Sequence, residues 1–394
     1  MKNTMKKTTL ALAIALSLSA CGGGGSSEPT TPPSQGGTNP APVDPTPTTP
    51  EQNTTEGNIT SSVPVVGISY SSALVHGTRV FNEYKGSGIV IGVMDTGFEL
   101  SHNEFENIQV ALKYNIIDPD NYDSNNPDAW EREDVSEKTS GVQVLGHGTQ
   151  MLGIMASSDD GSKLTGLIPY ASFALASKQD NAYDIDRGNA YYEFNKTGVS
   201  VSSNSFRYTP QINTAISDEP TMVMPYYVSE AIVDLATEGY DKKGIVFVFG
   251  AGNDNVNLGT IGYYGSFQNR SIDKEVLLVG ALDQSGLRAG YSNYGSGVDV
   301  FVPAEVGTTI TGNNYQIENG TSTATAIVSS IVAMARQARP DVNATVLMDL
   351  ICKTADHIGS DAYNLPDENG NMRSATYGCG KVNADAFVTA VEEF

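Results

Sequence analysis

Three residues of this 394-residue chain are of the types that acyl transfer requires, and each sits in glycine-rich company. Asp95 opens Asp95-Thr96-Gly97, His147 lies in Gly146-His147-Gly148-Thr149, and Ser322 closes Gly320-Thr321-Ser322. A serine hydroxyl is a weak nucleophile until a base removes its proton. An imidazole does that well when a carboxylate fixes its tautomer and stabilises the imidazolium. Taken singly, the three read as a strand-end turn, a helix-capping histidine and an N-cap serine; taken together they could activate a nucleophile. The glycines let backbone approach a substrate closely. His147 and Ser322 also open helical patterns, whose first amides favour developing negative charge.

Short apolar, β-branched runs recur at Gly88–Met94, Gly198–Ser202, Gly244–Phe249, Val276–Gly280 and Val298–Val302. They read as buried strands. Helical patterns separate them at Gly148–Ala156, Asp184–Asn195, Tyr226–Glu238 and Ala324–Ala338, the last stopped by Pro340. The alternation predicts an α/β fold with a mainly parallel sheet, whose chemistry belongs in the loops beyond the carboxyl ends of the strands. The three reactive residues stand in such loops or at the helix starts beside them.

From about Gly86 to Ala390 the sequence resembles the subtilisin-like serine proteases, which carry their triad in the chain order Asp, His, Ser. Ile91-Gly92-Val93-Met94-Asp95-Thr96-Gly97 and Gly146-His147-Gly148-Thr149 look like that family's aspartate and histidine motifs, and Asn319-Gly320-Thr321-Ser322-Thr323-Ala324 is similar to its serine motif. Thr323 stands where the family has methionine, and Ala326 where it has proline. Phe247-Val248-Phe249-Gly250-Ala251-Gly252-Asn253 resembles the segment whose asparagine donates to the oxyanion, so Asn253 inherits that role. Asn204-Ser205-Phe206-Arg207 is similar to the segment that pairs with substrate backbone, with Arg207 replacing glycine. Ser205, Phe206, Arg207, Gly250, Gly252 and Gly262 are the implied substrate-binding residues. Gly262, at the floor of the primary pocket, implies tolerance of a large apolar or aromatic residue before the scissile bond.

The resemblance implies a three-layer subtilisin-like fold and a serine endopeptidase that needs no cofactor for its chemistry. It also implies a structural calcium site, with Glu104 and Asp160 as ligands in and beside the 156–164 loop; an acidic loop that is merely solvated is the alternative. Cys352 and Cys379 fall in the closing part of the fold, where outside the cytoplasm they could pair as a disulfide or remain buried thiols. The long stretch between Asp95 and His147, which holds Asp118–Asp123 and Trp130, reads as a surface loop. The same fold without turnover, a surface lipoprotein that binds a partner, is the rival reading, and Arg207 and Ala326 are the departures that favour it.

The first part of the chain is of another kind. Lys2, Lys6 and Lys7 precede the apolar run from Leu10 to Leu18, too short to span a bilayer, and predict a signal peptide over 1–20. Leu18-Ser19-Ala20-Cys21 resembles the lipobox of bacterial lipoproteins, which implies lipidation of Cys21; ordinary cleavage to a free secreted protein is the alternative. Gly22 resembles the residue following that cysteine in lipoproteins bound for the outer membrane or surface of Gram-negative cells. From 21 to 60 the chain is dominated by Gly, Ser, Thr and Pro, with eight of its 18 prolines between Pro29 and Pro50, and it reads as an extended tether ahead of a peptidase domain at 61–394. Forty-five acidic against 23 basic residues give a net charge of −22, which disfavours a nucleic-acid partner. Protein or peptide substrates, a membrane and a monomeric state are the expectations that remain.

Overall fold

The computed structural model describes residues 75–116, 146–161, 164–178, 184–206, 222–259, 264–266 and 274–394. The expectations for Cys21, the signal peptide and tether, the 118–130 stretch, Arg207 and Gly262 fall outside the described residues.

Strands β1 (Val90–Asp95), β2 (Gln109–Ile116), β3 (Ser172–Lys178), β4 (Val199–Asn204), β6 (Val246–Gly250), β8 (Val276–Leu282) and β9 (Val300–Pro303) form one sheet in the order β2-β3-β1-β4-β6-β8-β9. Every neighbouring pair in it is parallel. Parallel strands are covered on both faces, and successive side chains must therefore fill opposite cores. Thus β1 sends Ile91 and Val93 to one core and Met94 to the other, β6 divides Val246 and Val248 from Phe247 and Phe249, and β8 divides Leu277 and Val279 from Val276 and Leu278.

Helices cover both faces. On the first side pack α1 (Thr78–Glu83), α2 (His147–Ala156), α5 (Thr321–Ala338), α6 (Ala344–Lys353) and α7 (Ala384–Glu393). On the second pack α3 (Asp184–Lys196) and α4 (Tyr226–Lys242). The expected three-layer α/β architecture is what forms. Helix α5 is buried along almost its whole length and ends at Arg339, whose extended backbone (φ −140°, ψ 86°) is what the following Pro340 imposes. Three further strand pairs lie outside the main sheet: β5 (Met222–Met224) with β7 (Tyr264–Ser266), β10 (Val306–Ile310) with β11 (Asn314–Glu318), and β12 (Tyr363–Pro366) with β13 (Met372–Ser374).

Two devices hold the closing part of the chain. A disulfide joins Cys352, in the last turn of α6, to Cys379, with a Cα separation of 5.2 Å. Helix α1 is clamped to α7: the Asp385 carboxylate accepts from the Arg79 and Val80 amides at 3.3 and 3.0 Å, capping a helix whose own N-cap, Gly77, has no side chain. Glu392 accepts from both terminal nitrogens of Arg79 and from the Tyr84 hydroxyl. Among the described residues no helix is long and apolar enough to cross a membrane.

Candidate active site

The two strands beside β1 leave it in opposite directions along the sheet, with β3 and β2 on one flank and β4, β6, β8 and β9 on the other. The crevice at the carboxyl end of β1 is therefore the place where loops part and a ligand can enter. Asp95 is the last residue of β1 and is 1% exposed. Its Oδ1 accepts from the Thr96 amide at 2.7 Å and meets His147 Nδ1 at 2.8 Å. A carboxylate can only accept, so Nδ1 carries the hydrogen, leaving Nε2 as a lone-pair base. Burial depresses the imidazole's proton affinity, but the charge of Asp95 and its hydrogen bond outweigh that effect, with Glu318 adding to them and Lys178 opposing; the His147 pKa is raised above its ordinary value.

His147 reaches this position because α2 begins abruptly and close to β1. Its N-cap, Gly146, has φ 62°, a left-handed turn that glycine adopts freely. A Cβ on Gly148 would lie 2.2 Å from the Gly97 carbonyl oxygen, so only glycine lets the helix come this near the strand end.

Ser322 is the second residue of α5, one residue past Gly320 and Thr321. Its hydroxyl donates to the Ser205 carbonyl at 3.3 Å, and the Ser205 hydroxyl donates to the Ser322 carbonyl at 3.0 Å. Among the described residues no hydrogen bond joins Ser322 to His147. Asn253 is exposed, and its Oδ1 accepts from the amide and the hydroxyl of Thr321, both at 3.0 Å. Committing the oxygen in this way leaves the Nδ2 hydrogens to point elsewhere. A Cβ on Gly320 would lie 3.6 Å from Asn253 Nδ2 and 3.8 Å from the Ser322 nitrogen, so these two nitrogens flank the same small space at the start of α5.

The remaining implied residues divide. Ser205 is buried and tied to Ser322, whereas Phe206 is half-buried, edge-on to Phe249 at 6.1 Å. Gly250 is packing surface: a Cβ there would meet Thr321 Oγ1 at 3.1 Å. Gly252 donates its amide to that same oxygen at 3.1 Å. Four further residues stand around the centre, and only Thr321 among them falls within a motif. Thr321 links Gly252 to Asn253; Lys178 lies 4.9 Å over the Phe206 ring; Glu318 ends β11. Asn115 stands in register with Ser177, which is itself in register with Asp95, and both polar side-chain atoms of Asn115 are buried without a partner among the described residues. Hydrophobic patterning can reveal none of these, because each is defined by a contact across the fold.

The two expected metal ligands both act on Tyr315, whose pKa is raised by burial, by its hydrogen bond to Glu104 and by the charges of Glu104 and Asp160. Glu104 is buried and its Oε1 accepts from the Tyr315 hydroxyl at 2.8 Å, while its carbonyl accepts from the amide and hydroxyl of Ser158. Asp160 is exposed, and neighbouring Asp159 is paired with Lys85 at 2.5 Å. Calcium takes six to eight oxygens. Among the described residues, the one group of three or more closely spaced ligating side chains is Cys352, Asp367 and Cys379, which includes the disulfide.

The sequence model of the Subtilase family, peptidase S8, matches residues 86–380. The chain belongs to the subtilase family. It stands thereby among the serine endopeptidases, which are hydrolases. Over 302 residues this subtilase is 27% identical to M-protease of Shouchella clausii (strain KSM-K16), spanning 76% of this chain and 64% of that protein. It is equally identical to Subtilisin Savinase of Lederbergia lenta, with 91% of that protein spanned. Two solved structures share its fold: a protease from Pseudoalteromonas arctica PAMC 21717, at TM-score 0.57 and 20% identity over 80% of this chain and 93% of the other, and MycP1 with the N-terminal propeptide removed, at 0.58 and 18% over 81% and 96%.

Proposed function

We propose that this subtilase hydrolyses peptide bonds with Asp95, His147 and Ser322 as its triad. The observation that carries the reading is the 2.8 Å contact between the buried Asp95 carboxylate and His147 Nδ1, which leaves Nε2 free to act as a base. The Ser322 hydroxyl turns from the Ser205 carbonyl toward Nε2, gives up its proton and attacks the substrate carbonyl carbon. The oxyanion that forms is met by Asn253 Nδ2 and the Ser322 amide, donors aimed where charge appears only in the tetrahedral state. His147 then returns the proton to the leaving amine. Water repeats the sequence on the acyl-enzyme, releasing the acid and restoring the serine.

The export run and the lipobox-like Leu18-Ser19-Ala20-Cys21 support a lipid anchor on Cys21, with the enzyme held at the outer membrane or surface of a Gram-negative cell by the 21–60 tether. Incorporation of labelled palmitate into the wild-type chain but not into Cys21→Ser tests that part. A second reading, a silent binding protein, draws on the Ser322 hydroxyl's donation to Ser205 in place of His147. One experiment separates the two. A serine-reactive fluorophosphonate should add a single adduct, read by intact mass, to wild type and none to Ser322→Ala or His147→Ala. Properly folded wild type without an adduct would leave the binding reading.

A further inference from the structure

We propose that Cys352, Cys379 and Asp367 bind one soft divalent cation, zinc or cadmium, when the Cys352–Cys379 disulfide is reduced. The ion then takes over the cross-link that the disulfide supplies in the oxidised chain.

The three ligands come from separate pieces of the closing segment. Cys352 lies in the last turn of α6, Asp367 follows β12, and Cys379 stands between Gly378 and Gly380 in the turn before α7. One sulfur or oxygen atom from each lies within 4.8 Å of the other two, with Asp367 Oδ2 3.9 Å from Cys352 Sγ. Thiolates bind zinc at about 2.3 Å and carboxylate oxygens at about 2.0–2.2 Å, so tetrahedral ligands stand roughly 3.5–3.8 Å apart. The cluster reaches such separations once the sulfurs part.

The local structure holds these groups ready. The Asp367 carboxylate is aimed by its own turn: Oδ1 accepts from the Asn369 and Asn371 amides at 2.9 and 2.8 Å, and Oδ2 accepts from Asn371 Nδ2 at 3.1 Å. Asn371 is itself tied to Asp349 Oδ1 at 2.8 Å. These donors are neutral, so the carboxylate keeps its charge, and Oδ2 retains a second lone pair. Cys379 is fixed by its amide on the Asp299 carbonyl at 2.8 Å and by flanking glycines with φ 52° and 123°. A neutral disulfide asks for no charged neighbour. A carboxylate held against the sulfurs, at the carbonyl end of α6 where the helix dipole is negative, favours a cation. Both cysteines are buried and Asp367 is half-buried, which leaves the fourth position to a water from the solvent side, as in open zinc sites.

The chemistry balances with a dithiol as reductant. It becomes a cyclic disulfide, and its two hydrogens pass to Cys352 and Cys379 as thiols. Beside Asp367 and away from water those thiols resist ionising. The cation replaces both protons, which leave to solvent, and its charge meets two thiolates and one carboxylate.

The test uses the full chain carrying Cys21→Ser, so that the third cysteine contributes no ligand. One portion is reduced with a dithiol and desalted without oxygen. Zinc uptake is read by equilibrium dialysis, cadmium–thiolate bonds by their ultraviolet charge-transfer absorption, and the fold by the thermal midpoint. The reduced chain should hold one zinc and regain the midpoint lost on reduction, and a chelator should reverse both. The oxidised chain should hold none tightly, and Cys352→Ser should lose the site. In reduced Asp367→Asn the affinity should fall by at least about tenfold, since even an outer-shell partner is worth that much; the oxidised form of this variant should keep its midpoint. Equal uptake by oxidised and reduced chains, uptake that leaves the reduced midpoint unchanged, or undiminished affinity in Asp367→Asn would each overturn the inference. So would a reduced chain that unfolds and that zinc does not refold.

Discussion

A buried carboxylate with a single imidazole on it makes the protonation of His147 the property that governs when this site can work. The His147 pKa is raised, chiefly because Asp95 outweighs the effect of burial, so the neutral base appears only as pH climbs past a value above the ordinary ~6.5. Activity should therefore rise on the alkaline side of that value. In Asp95→Asn the burial effect is left unopposed by Asp95, so the acidic limb of kcat/KM should shift to lower pH while kcat falls by about four orders of magnitude. A limb that stayed in place would mean that another group is being titrated. The same shift acts on stability with the opposite preference. A raised folded-state pKa stabilises the fold below the unfolded value, and that contribution disappears as pH rises through the folded one.

At the scale of elements, the start of α5 matters more than any single side chain. Thr321 Oγ1 accepts from the Gly252 amide and donates to Asn253 Oδ1, so one hydroxyl ties the strand-end loop of β6 to the helix that bears Ser322. Asn253→Ala should cost about 10²–10³ in kcat with little change in KM. Thr321→Val removes the tie but keeps the amide donor, so it should show the same kcat-selective loss at smaller size, roughly tenfold. A loss confined to KM would argue that Asn253 is held by something else.

Here the sequence was legible in part. The aspartate, histidine and serine motifs, β1, β4, β6, β8, β9 and helices α2 to α5 can be read from local runs. Strands β2 and β3 escape because β2 lies at the sheet edge with three of its eight residues exposed, while β3, Ser172–Lys178, is a run with two alanines and polar ends. Thr321 looks like an ordinary helix-start threonine, and Glu318 like any exposed acid. The partners of Thr321, Gly252 and Asn253, lie in the loop after β6, a distance along the chain that no periodicity spans, whereas those of Glu318 are its near neighbours Gln316 and Asn319. Gly250 shows the converse: the family motif marks it, and the fold uses it to admit Thr321.

For the whole molecule, the cross-link and the acidic loop make separable claims. The disulfide closes a separation of 27 residues, for which loop entropy gives about 3.5 kcal/mol. Thermal unfolding with a reductant, or of Cys352→Ser with Cys379→Ser, should show a loss of that order; an unchanged midpoint would mean that packing alone holds α6 to the segment before α7. Since the Glu104 carboxylate is engaged by Tyr315 and Asp159 by Lys85, a chelator should leave the midpoint where it was. A fall of several degrees, reversed by added calcium, would show that the loop gathers ligands after all.

The clamp between α1 and α7 also has a mechanical meaning. Tension applied to the chain ahead of Val75 meets first the Ala384 amide on the Val75 carbonyl, then Asp385 on the amides of α1, then Glu392 on Arg79 and Tyr84. Only beyond these bonds does the pull arrive at β1 and Asp95. A domain pulled from that end would thus yield at two outer helices before the strand that ends in Asp95 carried load.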